Sequence, residues 1–93
     1  MKEINGQKLL TIAATAGETY LIDYTNDVNV NIINQTDDSI RISLSDDYLQ
    51  DDDHSCCITL HPNMFINYFK LRSSKLYIES SGDGDIAVFR NYG

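Results

Sequence analysis

Apolar and polar residues alternate with a period of two along most of this chain. In residues 28–32, Val28, Val30 and Ile32 fall on one side and Asn29 and Asn31 on the other. In residues 39–44, Ile40, Ile42 and Leu44 oppose Arg41 and Ser43. Successive side chains of a strand point to opposite faces, so this alternation predicts strands with one buried and one wet face. The polar stretch NQTDD between the two runs predicts a hairpin. Further strands are predicted over 8–14 (KLLTIAA), 19–24 (TYLIDY), 56–60 (CCITL), 64–71 (MFINYFKL), 75–80 (KLYIES) and 85–90 (DIAVFR). Gly17 opens the turn after the first of these, and Gly82 and Gly84 suit a tight hairpin between the last two.

The sum is about eight short strands with turn signals every 8–12 residues and no apolar stripe of helical period. This predicts an all-β fold: a single small antiparallel β-sandwich of jelly-roll or immunoglobulin-like type, or a small barrel. The chain of 93 residues implies one domain over 1–93, with 1–7 as a flexible N-terminal arm. The expected core is Leu10, Ile12, Tyr20, Ile22, Val30, Ile32, Ile40, Ile42, Leu44, Ile58, Leu60, Leu76, Ile78, Ile86 and Val88.

Charge narrows the partners. The formal net charge is −7, so nucleic acid and anionic lipid surfaces repel the protein. A basic protein surface or a cation fits better. No apolar leader or membrane-length run is visible, so the expected site of synthesis is a cytoplasm. The adjacent Cys56 and Cys57 would point to opposite faces of a strand and so would not join in an unstrained disulfide, which suits a reducing compartment.

Candidate chemistry concentrates in one segment, SDDYLQDDDHSCC, residues 45–57. Asp46, Asp47, Asp51, Asp52 and Asp53 are hard oxygen donors of the type that binds Ca²⁺, but their order lacks the alternating ligands, glycine and late glutamate of an EF-hand. The plainer reading is a solvated connection between strands. With Tyr48, the same aspartates form a candidate interaction loop. His54, Cys56, Cys57 and His61 are zinc-competent types, but their spacing and alternation do not converge on a tetrahedral site. No nucleophile elbow or phosphate loop is present, so the expectation is a non-enzyme without cofactor. Tyr20, Tyr24, Tyr68, Tyr77 and Tyr92 could form a sugar-stacking face, although core-edge positions with wet hydroxyls suit tyrosine as well.

The order of features also resembles a known group. NVNIINQTDDSIRISL, then ITLHPN, then KLYIESSGDGDIAVFR is similar to the pattern of small β-sandwich accessory proteins of tailed bacteriophage virions. The likeness runs from Val28 to Arg90 and rests on hydrophobicity and turns. Asn63 stands where glycine is more usual, and asparagine tolerates the left-handed backbone such a turn needs. The resemblance implies an auxiliary or decoration protein that binds the capsid, head–tail or fibre lattice, with a major capsid or other virion protein as partner and a homo-oligomer within the lattice. The alternative is a stand-alone binding module, either for carbohydrate or as an acidic DNA mimic that inhibits a host DNA-binding protein.

Overall fold

The computed structural model describes residues 1–26, 28–44, 57–71 and 74–91. Nine strands occur among them: β1 (Lys2–Asn5), β2 (Leu9–Ala14), β3 (Thr19–Asp23), β4 (Asn29–Thr36), β5 (Ile40–Ser43), β6 (Ile58–Leu60), β7 (Phe65–Lys70), β8 (Lys75–Ser80) and β9 (Gly84–Asn91). They form a five-stranded sheet, β1-β3-β8-β5-β6, and a four-stranded sheet, β2-β9-β4-β7.

The pairing is nested. β5 pairs with β6, β4 with β7, β3 with β8 and β2 with β9, all antiparallel. The chain is thus one long hairpin whose successive strand pairs alternate between two sheets. β9 then pairs with β4, and β8 with β5, which completes each sheet. This strand order is that of a jelly roll, the first of the sandwich types expected from the alternation.

Two expected hairpins are corrected. β4 and β5 lie in different sheets, as do β8 and β9. NQTDD and SGDG are therefore corners, where the chain crosses from one layer to the other. The two corners lock together: Asp37 N–H donates to Asp83 O at 3.1 Å, and Ser81 N–H to Ser39 O at 3.0 Å. Gly82 is needed for this approach, because a Cβ there would lie 2.6 Å from Asp38 N. Of the two glycines expected to bend backwards, only Gly84 does so, with φ of 134°. Asn63 adopts the left-handed φ expected of it, 66°, and the turn glycine Gly17 has φ of 86°.

The N-terminal residues are corrected too. Residues 2–5 do not form a loose arm. They are β1, which pairs in parallel with β3 from Lys2↔Tyr20 to Asn5↔Asp23. KEIN is too short for its alternation to stand out, and a parallel partner leaves no turn signal.

The core fills the space between the sheets. Ile22, Val30, Ile32, Ile40, Leu76, Ile78, Ile86 and Val88 have no exposed surface, and Tyr20, Ile12, Ile42 and Leu60 are buried with them. Leu10 and Leu44 are partly buried against this cluster. Ile58 is the exception: it faces Ile42 from the short strand β6, the last of the described strands in its sheet, and stays 36% exposed. Tyr24, Val28 and Leu71, outside the expected core, are buried between the layers.

Buried polar groups fix one end of the sandwich. Asn34 and Thr36 continue the inward face of β4 into the first corner, where apolar contact ends. Asn34 Nδ2 donates to Asp38 O and Leu60 O, both at 2.9 Å, and its Oδ1 accepts from Thr36 N–H at 2.9 Å. Its backbone N–H donates to Met64 O, and its carbonyl accepts from Asn63 N–H at 2.7 Å. The side chain thus ties the corner 37–39 to the end of β6, and the backbone of the same residue holds the β6–β7 link. A polar group buried this deeply is tolerated because its hydrogen-bonding capacity is met.

Candidate interaction surface

The two sheets present different outer faces. On the five-stranded sheet, Arg41 pairs across strands with Glu79 and forms an ion pair with it. Asp23 and Lys75 face each other in the next ladder, and Glu3 stands beside Leu21. Beside β1 lies a shallow depression of about 320 Å³, lined by Glu3, Ile4, Asn5, Leu21, Asp23 and Lys75. Its side chains supply two carboxylates, an ammonium and an amide, and no Ser, Thr or Cys.

The outer face of the four-stranded sheet is apolar. One row across the strands is Thr11–Ala87–Ile33–Phe65, and the next is Leu9–Phe89–Asn31. Leu9 is 67% exposed and Phe65 is 62% exposed. Ile33 and Phe89 are half-buried between them. Lone exposed apolar residues are ordinary, whereas a contiguous exposed patch marks a contact surface. The patch is flanked by exposed Asp85 in the row toward the corners and exposed Lys70 in the row at the other end.

Sequence reasoning missed this face, though its signal is present. Each strand of this sheet carries adjacent apolar residues: Leu9-Leu10, Ile32-Ile33, Phe65-Ile66 and Val88-Phe89. In a strand, such a doublet places apolar side chains on both faces.

The residues singled out from the sequence do not assemble into a reactive centre among the described residues. The calcium and interaction-loop candidates Asp46, Asp47, Tyr48, Asp51, Asp52 and Asp53, together with His54 and Cys56, lie outside the described residues. Cys57 is half-buried and is not disulfide-bonded. His61 is exposed, with Nδ1 3.0 Å from Ser39 Oγ. Among the described residues no three His, Cys, Asp or Glu side chains converge to hold a metal.

No family model, characterised protein or solved structure matches this chain.

Among the described tyrosine side chains, Tyr20 and Tyr24 do not share a face with Tyr77, and Tyr92 lies outside the described residues. Tyr20 and Tyr24 are core residues, 2% and 4% exposed, and Tyr77 is half-buried on the outer face of the five-stranded sheet. Tyr20 OH accepts from Thr15 N–H at 3.0 Å. Tyr24 OH is buried without a partner, and burial pushes its pKa up to about 12 against the opposing pull of Arg90.

Among the described residues, four exposed aspartates crowd the corner end: Asp37, Asp38, Asp83 and Asp85. Asp83 Oδ1 accepts from Ala16 N–H, and Asp37 Oδ1 from Asp83 N–H, both at 2.9 Å. These carboxylates brace the corners while adding negative charge to that end.

Proposed function

We propose that this protein is a non-enzymatic auxiliary structural protein of a bacteriophage virion, which binds the capsid, head–tail or fibre lattice. The observation that carries the reading is the apolar outer face of the four-stranded sheet, where Leu9 and Phe65 are exposed beside Ile33 and Phe89. A jelly roll needs one apolar face per sheet to fold. An outer face that is apolar as well costs solubility and suits a surface that is covered by protein in its working state.

The rest of the surface fits the same role. A net charge of −7 favours docking on a basic subunit and discourages aggregation of the free domain. Five of the 14 acidic residues behind that charge fall within residues 46–53, the candidate interaction segment. A repeated lattice makes a modest contact sufficient, because each copy binds where its neighbours already raise the local concentration.

Mass spectrometry of purified particles tests the proposal. The expected result is this chain in the particle at a fixed ratio to the major capsid protein. Abundant soluble protein in infected cells, with none in the particle, would overturn it.

A further inference from the structure

We infer that the outer face of the four-stranded sheet pairs with the same face of a second copy, in a two-fold, face-to-face dimer. This rests on the reading of that face as a protein-contact surface and names its occupant. Three observations converge on it.

The first is chemistry. The centre of the face is Thr11, Ala87, Ile33 and Phe65 in one row and Leu9 and Phe89 in the next. No charged residue interrupts these two rows. An apolar sheet face can pack on another such face, with stacked sheets about 10 Å apart.

The second is charge. Asp85 lies at one end of the face and Lys70 at the other. A two-fold axis running across the strands sets the Asp85 end of each copy over the Lys70 end of its partner. An axis along the strands would set Asp85 against Asp85 and Lys70 against Lys70. Asp85 is on β9 and Lys70 on β7, two strands apart, so the crosswise axis brings the opposite charges to the same end of the stack without direct contact and keeps like charges at opposite ends, as suits an isologous interface.

The third is area. Four strands about 4.8 Å apart and rows spanning roughly 20 Å give a contact of about 300–400 Å² per copy. Specific stable complexes bury about 800 Å² per partner. The dimer is thus a weak one, which dissociates in dilute solution and forms where copies are concentrated. Its ends carry the acidic corners, Asp37, Asp38 and Asp83, outward and free for a basic lattice subunit.

Sedimentation velocity on the full chain from about 10 µM to about 1 mM reads the association directly, since the range brackets weak affinities. The expected result is a concentration-dependent shift from monomer toward dimer. Phe65→Asp should weaken association at least tenfold, as truncating a central aromatic contact does. Phe65 is 62% exposed, so the variant keeps its fold, which circular dichroism confirms. Asp85→Lys should weaken the dimer several-fold although it lowers the net negative charge. Asp85→Lys with Lys70→Asp should restore it at unchanged net charge. Three results would overturn the dimer: a monomer throughout, association indifferent to Phe65→Asp, or association strengthened by Asp85→Lys alone. A protein that stays monomeric yet is found in particles removes the dimer, leaves the virion role standing and assigns the face to a lattice subunit.

Discussion

The two outer sheet faces are built from the same strand geometry and differ only in what alternates with the core. On the five-stranded sheet the outward positions include Arg41 opposite Glu79 and Asp23 opposite Lys75, which keep the face wet around the Leu21–Tyr77 pair. On the four-stranded sheet they are Leu9, Ile33, Phe65 and Phe89. Of the second set, Leu9 and Phe65 are mostly in water and add little to the fold, while Ile33 and Phe89 are half-buried between them. The difference separates residues that hold the jelly roll together from residues that serve a contact.

The inner faces give the largest expected effects, and both sheets should respond alike. Ile78 and Ile32 are fully buried on opposite sides of the core. Ile78→Ala and Ile32→Ala should each cost about 2–5 kcal/mol in denaturant unfolding. A cost under about 0.5 kcal/mol at either site would mean that the corresponding sheet does not share the core.

How much of this was legible depends on what each sequence signal measures. Period two reports strands, and it located β2 to β9 to within a few residues. It does not report which strands pair. NQTDD and SGDG have hairpin composition, yet a corner between layers uses the same turn-forming residues. The distinguishing feature is inward and polar: Asn34 and Thr36 fall on the buried face of β4, marking the point where the core ends and the chain turns away. Leu71, Val28 and Tyr24 escaped because they close the opposite end of the core from positions flanking the strands. Attention to the aspartates drew the candidate site to residues 46–53, whereas the apolar doublets of four separate strands converge only once the sheet order is known.

The next effect in size concerns that corner. Asn34→Ala removes side-chain partners from Asp38 O, Leu60 O and Thr36 N–H in a buried setting. Unmet buried polar groups cost about 1–3 kcal/mol each, and some of these retain other bonds or regain water, so a total near 3 kcal/mol is expected. A loss below about 1 kcal/mol in thermal unfolding would show that the corner is held by its backbone alone.

Tyr24 should move stability the other way. Its hydroxyl is buried and unpartnered, so Tyr24→Phe should stabilise by about 1 kcal/mol. In the folded state the phenol holds its proton to about pH 12, against the ordinary value of 10.0 in the unfolded chain. The stabilisation linked to that shift is present below pH 10 and is lost as pH rises through 12. Melting curves across this window should fall more steeply for the native protein than for the Phe variant. Parallel falls would place the hydroxyl in contact with water.

The smallest stability effects belong to the apolar outer face. Leu9→Ser and Phe65→Ser should each change folding stability by less than about 0.5 kcal/mol, because both side chains are already mostly in water. Losses of 2 kcal/mol or more, the scale of a core deletion, would make them structural residues and erase the distinction between the two faces.

Residue-by-residue nuclear magnetic resonance shifts, followed as the protein is concentrated, test that distinction most directly. The shifts of Leu9, Thr11, Ile33, Phe65, Ala87 and Phe89 should move together with one concentration dependence, while Asp23, Arg41, Lys75 and Glu79 on the other sheet stay fixed. Movement confined to the five-stranded sheet, or none on either face up to about 1 mM, the scale of a weak interface, would contradict the assignment of the apolar face as the contact surface between copies.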